Sequence, residues 1–487
     1  MSFAATTPAA RPSTARNTGT AARGPRVPEA ATGPATGAAT ATATAAGTAT
    51  GTGVGAGPQA PAAGGDPAGD NLLGLFPPGT SVAGDGTLLI GGVPVTELAE
   101  AYGTPALLVD EDAVRTRARR YADGLAARWP NSRVTFASKA FPCTAVYRLL
   151  AEEGLGFDVA GGGELTLALA AGADPEGLVV HGNAKTEEEL RLAVEARAGL
   201  IVVDSFDDID RLERIVGEVS GRTQGVLVRV TPDIRPDTHA AVSTGQAGSK
   251  FGLLLPQARE AVARLRGSDR LRLDGVHAHV GSQVMETGPF ARAVEALAGL
   301  GEFAVYDLGG GLGSRYTYRD RPPSVEHYLD TLVETAGMVL PAGARILIEP
   351  GRSMVAEAGV SLYRVVTVKP GGQPFVAVDG GMGDNLEVSL YGQRFEATVA
   401  TRVGGGERCR LVGRHRESGD VLSAGVRLRD PRPGDLIAVP VTGAYTYALS
   451  NNYNGARRPP VVFCRDGEHR AVVRRESYQD LLRRDLP

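Results

Sequence analysis

One lysine of this chain stands where its amine could do covalent chemistry. An apolar run from Val134 to Ser138 predicts a buried strand, and Lys139 follows at its C-terminal end. The chain has 51 lysines and arginines together, yet only four are lysines, at positions 139, 185, 250 and 369. An amine can lose its proton and attack a carbonyl, whereas a guanidinium stays protonated and is a poor nucleophile. Lys139 is therefore a candidate for Schiff-base formation, with a salt-bridged lysine at a strand end as the alternative.

Lys139 is one of a series of polar residues and glycines that follow predicted strands. Short apolar runs predict strands near residues 134–138, 156–160, 178–181, 200–204, 225–230, 274–280, 304–308 and 345–348, with helical patterns between them. Their C-terminal ends carry Lys139, Asp158, His181, Asp204, Arg229, His279 with Gly281-Ser282, Gly309-Gly310-Gly311, and Glu349 with Gly351-Arg352. Apolar strands that alternate with helices indicate a parallel sheet, and eight such units favour a closed (β/α)8 barrel. In such a barrel these side chains converge on one mouth.

Several of these strand ends carry groups that suit an anion or an aromatic ring. Glycines at 309–311 let backbone N–H groups approach a phosphate, and Gly351-Arg352 is a second anion site. Glu349 could hold a proton on a pyridine nitrogen, and His279 could stack on the ring. Singly, Glu349 could be a structural salt bridge and His279 a core histidine. Together with the lysine they predict a pyridoxal phosphate site.

The composition excludes other classes of function and divides the chain. A net charge of −4 gives no electrostatic case for nucleic acid, and no apolar run is long enough for a membrane span. The three cysteines have neither a metal nor a disulfide spacing, which favours a cytoplasmic protein without a metal. We predict four parts: a disordered Ala/Thr/Gly/Pro-rich tail (1–70), strands that join a later β-domain (71–110), the barrel (111–360) and a β-domain with dimer and substrate contacts (361–487).

Several longer motifs, in order along the chain, resemble those of one family. They are Phe136-Ala-Ser-Lys-Ala-Phe141, Phe157-Asp-Val-Ala160, His181-Gly-Asn-Ala-Lys185, Asp307-Leu-Gly-Gly-Gly-Leu-Gly313, Glu349-Pro-Gly-Arg352, Leu390-Tyr-Gly392, Glu417-Ser-Gly-Asp420 and Gly443-Ala-Tyr445. They resemble the fold-type-III pyridoxal-phosphate decarboxylases (an alanine-racemase-like barrel plus a β-domain), and among these the diaminopimelate decarboxylases. The resemblance covers roughly residues 83–487, which is the whole chain except the tail.

The resemblance implies a role for each matching residue. Lys139 is the lysine bonded to the cofactor, His279 stacks on the ring and Glu349 pairs with the pyridine nitrogen. The implied cofactor-binding residues also include Asp158, His181, Ser282, Gly310, Gly311, Gly351, Arg352 and Tyr445. The implied substrate-binding residues are Arg352, Tyr391, Glu417 and Tyr445. The implied catalytic residues are Lys139, His279, Tyr445 and Glu417. Members are homodimers in which the segment of Glu417 reaches the other subunit's active site.

One departure from the family pattern concerns the substrate. The family usually has an arginine in the stretch Asp384-Asn-Leu-Glu387, where it binds the substrate's distal carboxylate, but this chain has Glu387. Two like charges in a partly desolvated pocket repel each other, so Glu387 is expected to disfavour diaminopimelate.

A second departure concerns the proton donor. Arg416 stands where the family has a cysteine that returns a proton to the carbanion. Arginine is a very poor acid near neutral pH, so water, Tyr445 or His415 would replace it. Arg416 could instead restore the cation lost at Glu387, or the carbanion could take another fate. A loose alignment, with Arg394 or Arg414 in the usual role, is a further alternative.

The sequence therefore predicts a decarboxylase of an amino acid related to diaminopimelate but not diaminopimelate itself, with specialised biosynthesis as one setting for it. Genuine diaminopimelate decarboxylation is an alternative. Racemisation or aldol-type chemistry on the same cofactor, and a non-catalytic regulatory relative, are the others. The retention of Lys139 in a lysine-poor chain argues against the non-catalytic alternative.

Overall fold

The computed structural model describes residues 73–219, 221–234, 245–246 and 248–486, so the predicted disordered tail lies outside the described residues. Within these ranges, no helix combines the length and apolar character that crossing a membrane requires. The described chain begins with strands β1 (Ser81–Val82), β2 (Leu88–Ile90) and β3 (Val93–Pro94), which form a small antiparallel sheet. Helix α1 (Val95–Tyr102) and strand β4 (Ala106–Asp110) follow.

The barrel contains the next group of elements. Its strands are β5 (Ser132–Ala137), β6 (Gly156–Val159), β7 (Leu178–Val180), β8 (Leu200–Val203), β9 (Gln224–Thr231), the short β10 (Leu253–Leu254), β11 (Leu271–Ala278), β12 (Val305–Asp307) and β13 (Arg345–Ile348). Its helices are α2 (Glu111–Arg128), α3 (Thr144–Glu152), α4 (Gly162–Ala170), α5 (Glu187–Glu195), α6 (Phe206–Val219), α7 (Leu255–Arg266), α8 (Gly288–Ala298) and α9 (Val325–Val339).

All pairings in the barrel are parallel, and the sheet closes. The order β5-β6-β7-β8-β9-β11-β12-β13 returns to β5, with β10 added beside β9. Strands β6, β7 and β9 are buried along their whole length, as expected for strands that are covered by helices on one side and fill the barrel on the other. The predicted (β/α)8 barrel is therefore confirmed.

Helix α2 precedes the first barrel strand. The side chain of Asp110 accepts a hydrogen bond from the Ala113 N–H at 2.9 Å, which caps the helix at its N-terminus. The helix packs against β5, α3 and α9. Helix α2 thereby closes the ring of helices around the barrel, between α9 and α3.

The second sheet contains most of the remaining strands. They are β14 (Gly359–Lys369), β15 (Phe375–Val378), β16 (Thr398–Val399), β17 (Glu407–Val412), β18 (Val421–Leu428), β19 (Leu436–Pro440), β20 (Val461–Arg465) and β21 (Glu468–Val473). The short helices are α10 (Arg352–Val355), α11 (Glu387–Tyr391), α12 (Thr446–Leu449) and α13 (Tyr478–Leu482). Strand β4 lies between β14 and β20, so a strand from before the barrel is hydrogen-bonded to two that follow it. We propose on this basis the division at residues 110 and 360.

A close backbone contact joins the start of β14 to the segment that leads to Tyr445. A Cβ atom added to Gly359 would lie 2.3 Å from the Cα of Gly443, so the contact excludes side chains there. The Thr442 N–H donates to the carbonyl of Gly359, and the Gly443 N–H donates to that of Ala356, both at 3.0 Å. This contact holds the loop of Tyr445 against the barrel mouth.

Candidate active site

Lys139 lies in a short helical turn, Ser138–Ala140, immediately after β5. Its neighbours Ser138 and Ala140 are buried. The side chain of Lys139 itself is accessible to solvent, but it lies inside the barrel mouth with protein around it. Burial acts to lower the pKa of Lys139, but Tyr445, Asp158 and Glu349 outweigh it and hold the pKa above its usual value. The amine is therefore protonated at neutral pH in the protein alone.

Glu349 follows β13 and is 4% exposed at the bottom of the mouth. Its Oε1 atom lies 2.7 Å from Nε2 of His181, and its Oε2 atom lies 3.3 Å from Nε2 of His277. Burial pushes the pKa of Glu349 upward, but the two histidines hold it well below its usual range. Glu349 is thus a buried carboxylate that stays ionised.

Two of the groups around Glu349 were missed in the sequence. His277 is 1% exposed, and burial lowers its pKa to about 4, so it is neutral at pH 7. Asp307 is fully buried, and burial together with the charge of Glu349 raises its pKa well above its usual value. The signal for His277 was its place two residues before His279, because alternate residues of a strand face the same side. Asp307 begins the glycine motif that contributed to the family resemblance, but nothing local indicated that it lies beside Glu349, which is far along the chain.

His181, His277, Asp307 and Glu349 offer ligand atoms that lie within 4.8 Å of one another. Such a set has the residue types of a metal site. However, Asp158 and Glu349 raise the pKa of His181 against the effect of burial, so a metal that binds this ring would have to displace a proton. The absence of a metal stays a prediction.

The glycine turn after β12 leaves no room for side chains. Cβ atoms added to Gly310 and Gly311 would lie 1.9 Å from the Glu349 carbonyl oxygen and 2.3 Å from the Gly281 carbonyl oxygen. The Gly310 N–H donates to Nδ1 of His279 at 3.2 Å. Burial and the charges of Lys139 and Arg229 lower the pKa of His279 well below its usual value, so this ring is neutral.

Arg352 begins helix α10 and is 6% exposed. Its Nε donates to Ser282 Oγ at 3.3 Å, and its Nη1 donates to the hydroxyl of Tyr316 and, at 2.9 Å, to Oε1 of Glu387. Its guanidinium carbon lies 4.5 Å from the centre of the Tyr445 ring. Ser282, Gly351, Arg352 and Tyr445 are thus brought together on one side of the mouth.

Glu387 points inward, as the first residue of α11, and is 1% exposed. Its ion pair with Arg352 is therefore buried. Burial raises the pKa of Glu387, against the opposing effect of Arg352. Tyr391, at the other end of α11, is partly buried, and its pKa is raised by burial and by Glu387.

Tyr445 has a backbone φ of 61°, which is unusual for a residue other than glycine. Its N–H donates to the carbonyl of Ala140 at 2.8 Å, next to Lys139. This hydrogen bond holds the strained backbone in place and sets the tyrosine beside the lysine.

Asp158, Asp204 and Arg229 also lie among the barrel strand ends. Asp158 lies 3.8 Å from Nε2 of His181, and Asp204 lies 3.6 Å from Nε of Arg229. Lys185 is not at the mouth surface, since its ammonium donates to Asp208 at 2.6 Å and to two carbonyl oxygens in the interior.

Arg416 and Glu417 are placed differently from the other predicted site residues. Both are exposed, and they follow β17 in the β-domain. The Arg416 N–H donates to Asn454, and Glu417 accepts from the Tyr453 hydroxyl at 3.3 Å. His415 is buried and accepts from the Gly383 N–H at 3.2 Å, so its ring supports a loop of the β-domain. Arg394 and Arg414 are exposed.

These residues fit pyridoxal phosphate. Glu349 Oε1 is buried and has no aligned hydrogen-bond donor among the described residues, since its contact with His181 is close but poorly directed. A protonated pyridine nitrogen would supply that donor. The glycine turn and Ser282 suit the phosphate, and Lys139 is the exposed primary amine.

Comparison with known proteins agrees with this fit. A family model described as the pyridoxal binding domain of pyridoxal-dependent decarboxylases matches residues 111–356. The chain belongs to this family. It is therefore a pyridoxal-phosphate-dependent carboxy-lyase that acts on an amino acid.

This decarboxylase is similar to several curated proteins over nearly their whole length. It is 46% identical to the diaminopimelate decarboxylase of Actinosynnema pretiosum subsp. auranticum, over 87% of this chain and 97% of that protein. It is 42% identical to that of Bacillus subtilis, over 82% and 96% respectively. Among solved structures, the diaminopimelate decarboxylase of M. jannaschii in complex with L-lysine superposes with a TM-score of 0.79 at 29% identity, over 84% of this chain and 98% of that one.

The prediction that diaminopimelate is not the substrate is wrong. Diaminopimelate decarboxylases that are 39–46% identical to this decarboxylase match it over most of its length. The prediction took Glu387 as an unpaired carboxylate facing the substrate. In the structure Glu387 is paired with Arg352 at 2.9 Å, so its charge is neutralised within the protein. The repulsion on which the prediction depended is therefore largely removed.

Proposed function

We propose that this decarboxylase converts diaminopimelate to lysine and carbon dioxide. The observation that carries the proposal is the 46% identity to a diaminopimelate decarboxylase over 97% of that relative. The neutral Arg352–Glu387 pair is compatible with it, because a substrate carboxylate would not meet an isolated negative charge.

The residues of the mouth divide the chemistry among them. Lys139 would supply the primary amine that holds the cofactor through its aldehyde. Glu349, kept ionised by His181 and His277, would hold the proton on the ring nitrogen. When bound, pyridoxal phosphate accepts the electron pair that is left as carbon dioxide departs.

Other residues orient the bound groups. The backbone N–H groups near Gly310 and Gly311, together with Ser282, would hold the phosphate. The neutral ring of His279 lies beside the turn and would cover one face of the cofactor. The hydrogen bonds of Arg352 to the described residues use its Nε and Nη1 atoms. Its Nη2 atom is therefore available to an anion.

The proton that replaces carbon dioxide needs a donor near Lys139. Tyr445 is the best candidate, because its backbone is bonded to Ala140 and its ring packs against Arg352. His415 is a poor candidate, because its ring is buried in the β-domain as an acceptor for Gly383.

We also infer that the enzyme acts as a homodimer in the cytoplasm. The exposed positions of Arg416 and Glu417 are compatible with contacts to a second subunit. Cys143, Cys409 and Cys464 are buried free thiols, which agrees with a reducing compartment.

The decisive experiment incubates the purified protein with pyridoxal phosphate and diaminopimelate. We expect lysine and carbon dioxide in equal amounts. A preparation that binds the cofactor, as judged by its visible absorbance, but forms no lysine would overturn the proposal. Release of carbon dioxide from another amino acid in a parallel panel would then identify the true substrate class.

A further inference from the structure

The end of the barrel opposite the mouth contains a cavity of about 730 Å³. It is formed by the N-terminal ends of the barrel strands, including the starts of β5, β9, β11 and β13. The activity proposed above uses only the C-terminal strand ends. A cavity of this size is within the range of small-molecule sites, about 300–1,000 Å³.

The rim of this cavity is strongly basic. Five arginines line it, namely Arg133, Arg197, Arg222, Arg272 and Arg345, against two carboxylates, Glu176 and Asp274. Asp274 is already used, because it forms a two-point contact with Arg272 at 2.7 and 2.8 Å. The charges of Arg272 and Asp274 therefore compensate each other.

Two of the guanidinium groups have no partner among the residues that the structure describes. Within the described ranges of the chain, the side chains of Arg133 and Arg197 form neither a hydrogen bond nor an ion pair. The Nε of Arg345 donates only to the neutral side chain of Asn131, at 3.3 Å. Guanidinium groups left without partners around one cavity can form paired hydrogen bonds to an oxyanion.

The backbone of Arg197 gives an independent observation. Arg197 follows the cap of helix α5 and has a φ of 62°. Glycine is the usual residue at this position because it adopts positive φ without steric cost. The chain has 65 glycines but places an arginine here, directed to the cavity rim. Strain of this kind is typical of binding sites.

The cavity floor is apolar. Val179, Val305 and Leu347 belong to a small buried cluster within the barrel, and each also lines the cavity. A basic rim above an apolar floor suits an anion that carries several phosphate oxygens and has an uncharged part.

We propose that the N-terminal end of the barrel is a binding site for a small polyphosphate. Arg133 and Arg197 donate hydrogen bonds to the phosphate oxygens, and Arg345 adds to the positive charge. The site is separate from the mouth and does not depend on the substrate proposed above.

The test uses the cofactor-loaded enzyme and two probes, inorganic tripolyphosphate and ATP without divalent metal, in calorimetric titrations at low and moderate salt. We expect one binding site per chain, with affinity that falls as salt rises. Binding of both probes, or of tripolyphosphate alone, supports a site that recognises the phosphates. Binding of ATP alone supports a nucleotide site. If neither probe binds saturably at millimolar concentration, the proposal is overturned.

The residues are tested with two double variants of equal charge. Arg133→Gln with Arg197→Gln should weaken binding at least tenfold. Arg259→Gln with Arg484→Gln removes two exposed arginines that do not line the cavity and should bind as the wild type does. Both variants should keep the wild-type decarboxylase activity, which shows that they are folded. Equal weakening in the two variants would mean a general charge effect and would overturn the assignment.

Discussion

Glu387 Oε1 accepts a hydrogen bond from Arg352 Nη1 at 2.9 Å, and the two side chains are 1% and 5% exposed. The pair joins the β-domain helix α11 to the barrel mouth. Isolated buried charges are costly, whereas a hydrogen-bonded pair compensates much of that cost. The pair therefore sets both the position of Arg352 and the net charge that a substrate meets.

Breaking this pair should destabilise the protein. Glu387→Ala leaves the Arg352 guanidinium buried without its counter-charge, and we expect a loss of about 3 kcal/mol or more in the free energy of unfolding. Glu387→Gln should lose less, because the amide oxygen can still accept from Nη1. Urea unfolding measures the free energy of unfolding of both variants. Glu187→Ala, which removes an exposed pair with Arg214, should cost much less, because solvent screens that pair. A loss at Glu387 no greater than at Glu187 would contradict the structural role.

Lys139→Ala should abolish turnover and remove the visible absorbance of the bound cofactor. The reason is that Lys139 is the primary amine exposed within the mouth. Lys369→Ala changes an exposed lysine at the end of β14 and should leave both measurements unchanged. Turnover that survives in Lys139→Ala would exclude covalent catalysis by this amine.

Glu349→Gln should lower kcat by on the order of 100-fold, because a neutral amide cannot hold the ring nitrogen protonated as a carboxylate does. The absorbance spectrum of the bound cofactor should shift as well. Steady-state kinetics and spectra of the same samples test this. A variant with unchanged spectrum and rate would show that Glu349 does not face the ring nitrogen.

His277 should make stability depend on pH below neutrality. Burial lowers its folded-state pKa to about 4, whereas an unfolded histidine titrates near pH ~6.5. The unfolded chain therefore takes up a proton that the folded protein refuses, and stability falls as the pH drops from about 6.5 towards 4. The difference approaches about 3 kcal/mol.

Urea unfolding of the cofactor-free protein between pH 4 and 7 measures this slope. The variant His277→Gln should show a weaker dependence than the wild type. The control His327→Gln changes an exposed histidine of α9 and should keep the wild-type slope. Identical slopes in all three proteins would contradict the assignment of His277 as a buried neutral ring.

Subunit mixing tests the proposed shared sites. Lys139→Ala and Glu417→Ala should each be inactive, yet a refolded equal mixture should recover about a quarter of the wild-type activity, since half of the dimers are mixed and each has one intact site. No recovery, despite mixed dimers on a native gel, would show that Glu417 does not act across subunits.

The sequence by itself determined the barrel, the lysine at the end of β5 and the glycine turn after β12. Each of these depends on local patterns: apolar runs with the length of strands, helical periodicity between them, and residue types whose chemistry is intrinsic. The motifs around Lys139, Glu349 and Tyr445 also carried the resemblance to the family.

Only the tertiary structure decided how charges are paired inside the mouth. Arg352 and Glu387 are 35 residues apart, and His277 contacts Glu349 across strands that are not neighbours in the chain. Whether a buried carboxylate repels a substrate or is neutralised depends on distances of a few ångströms between such segments. Residue types alone do not contain that information, because the energy of a charge depends on what the fold places beside it.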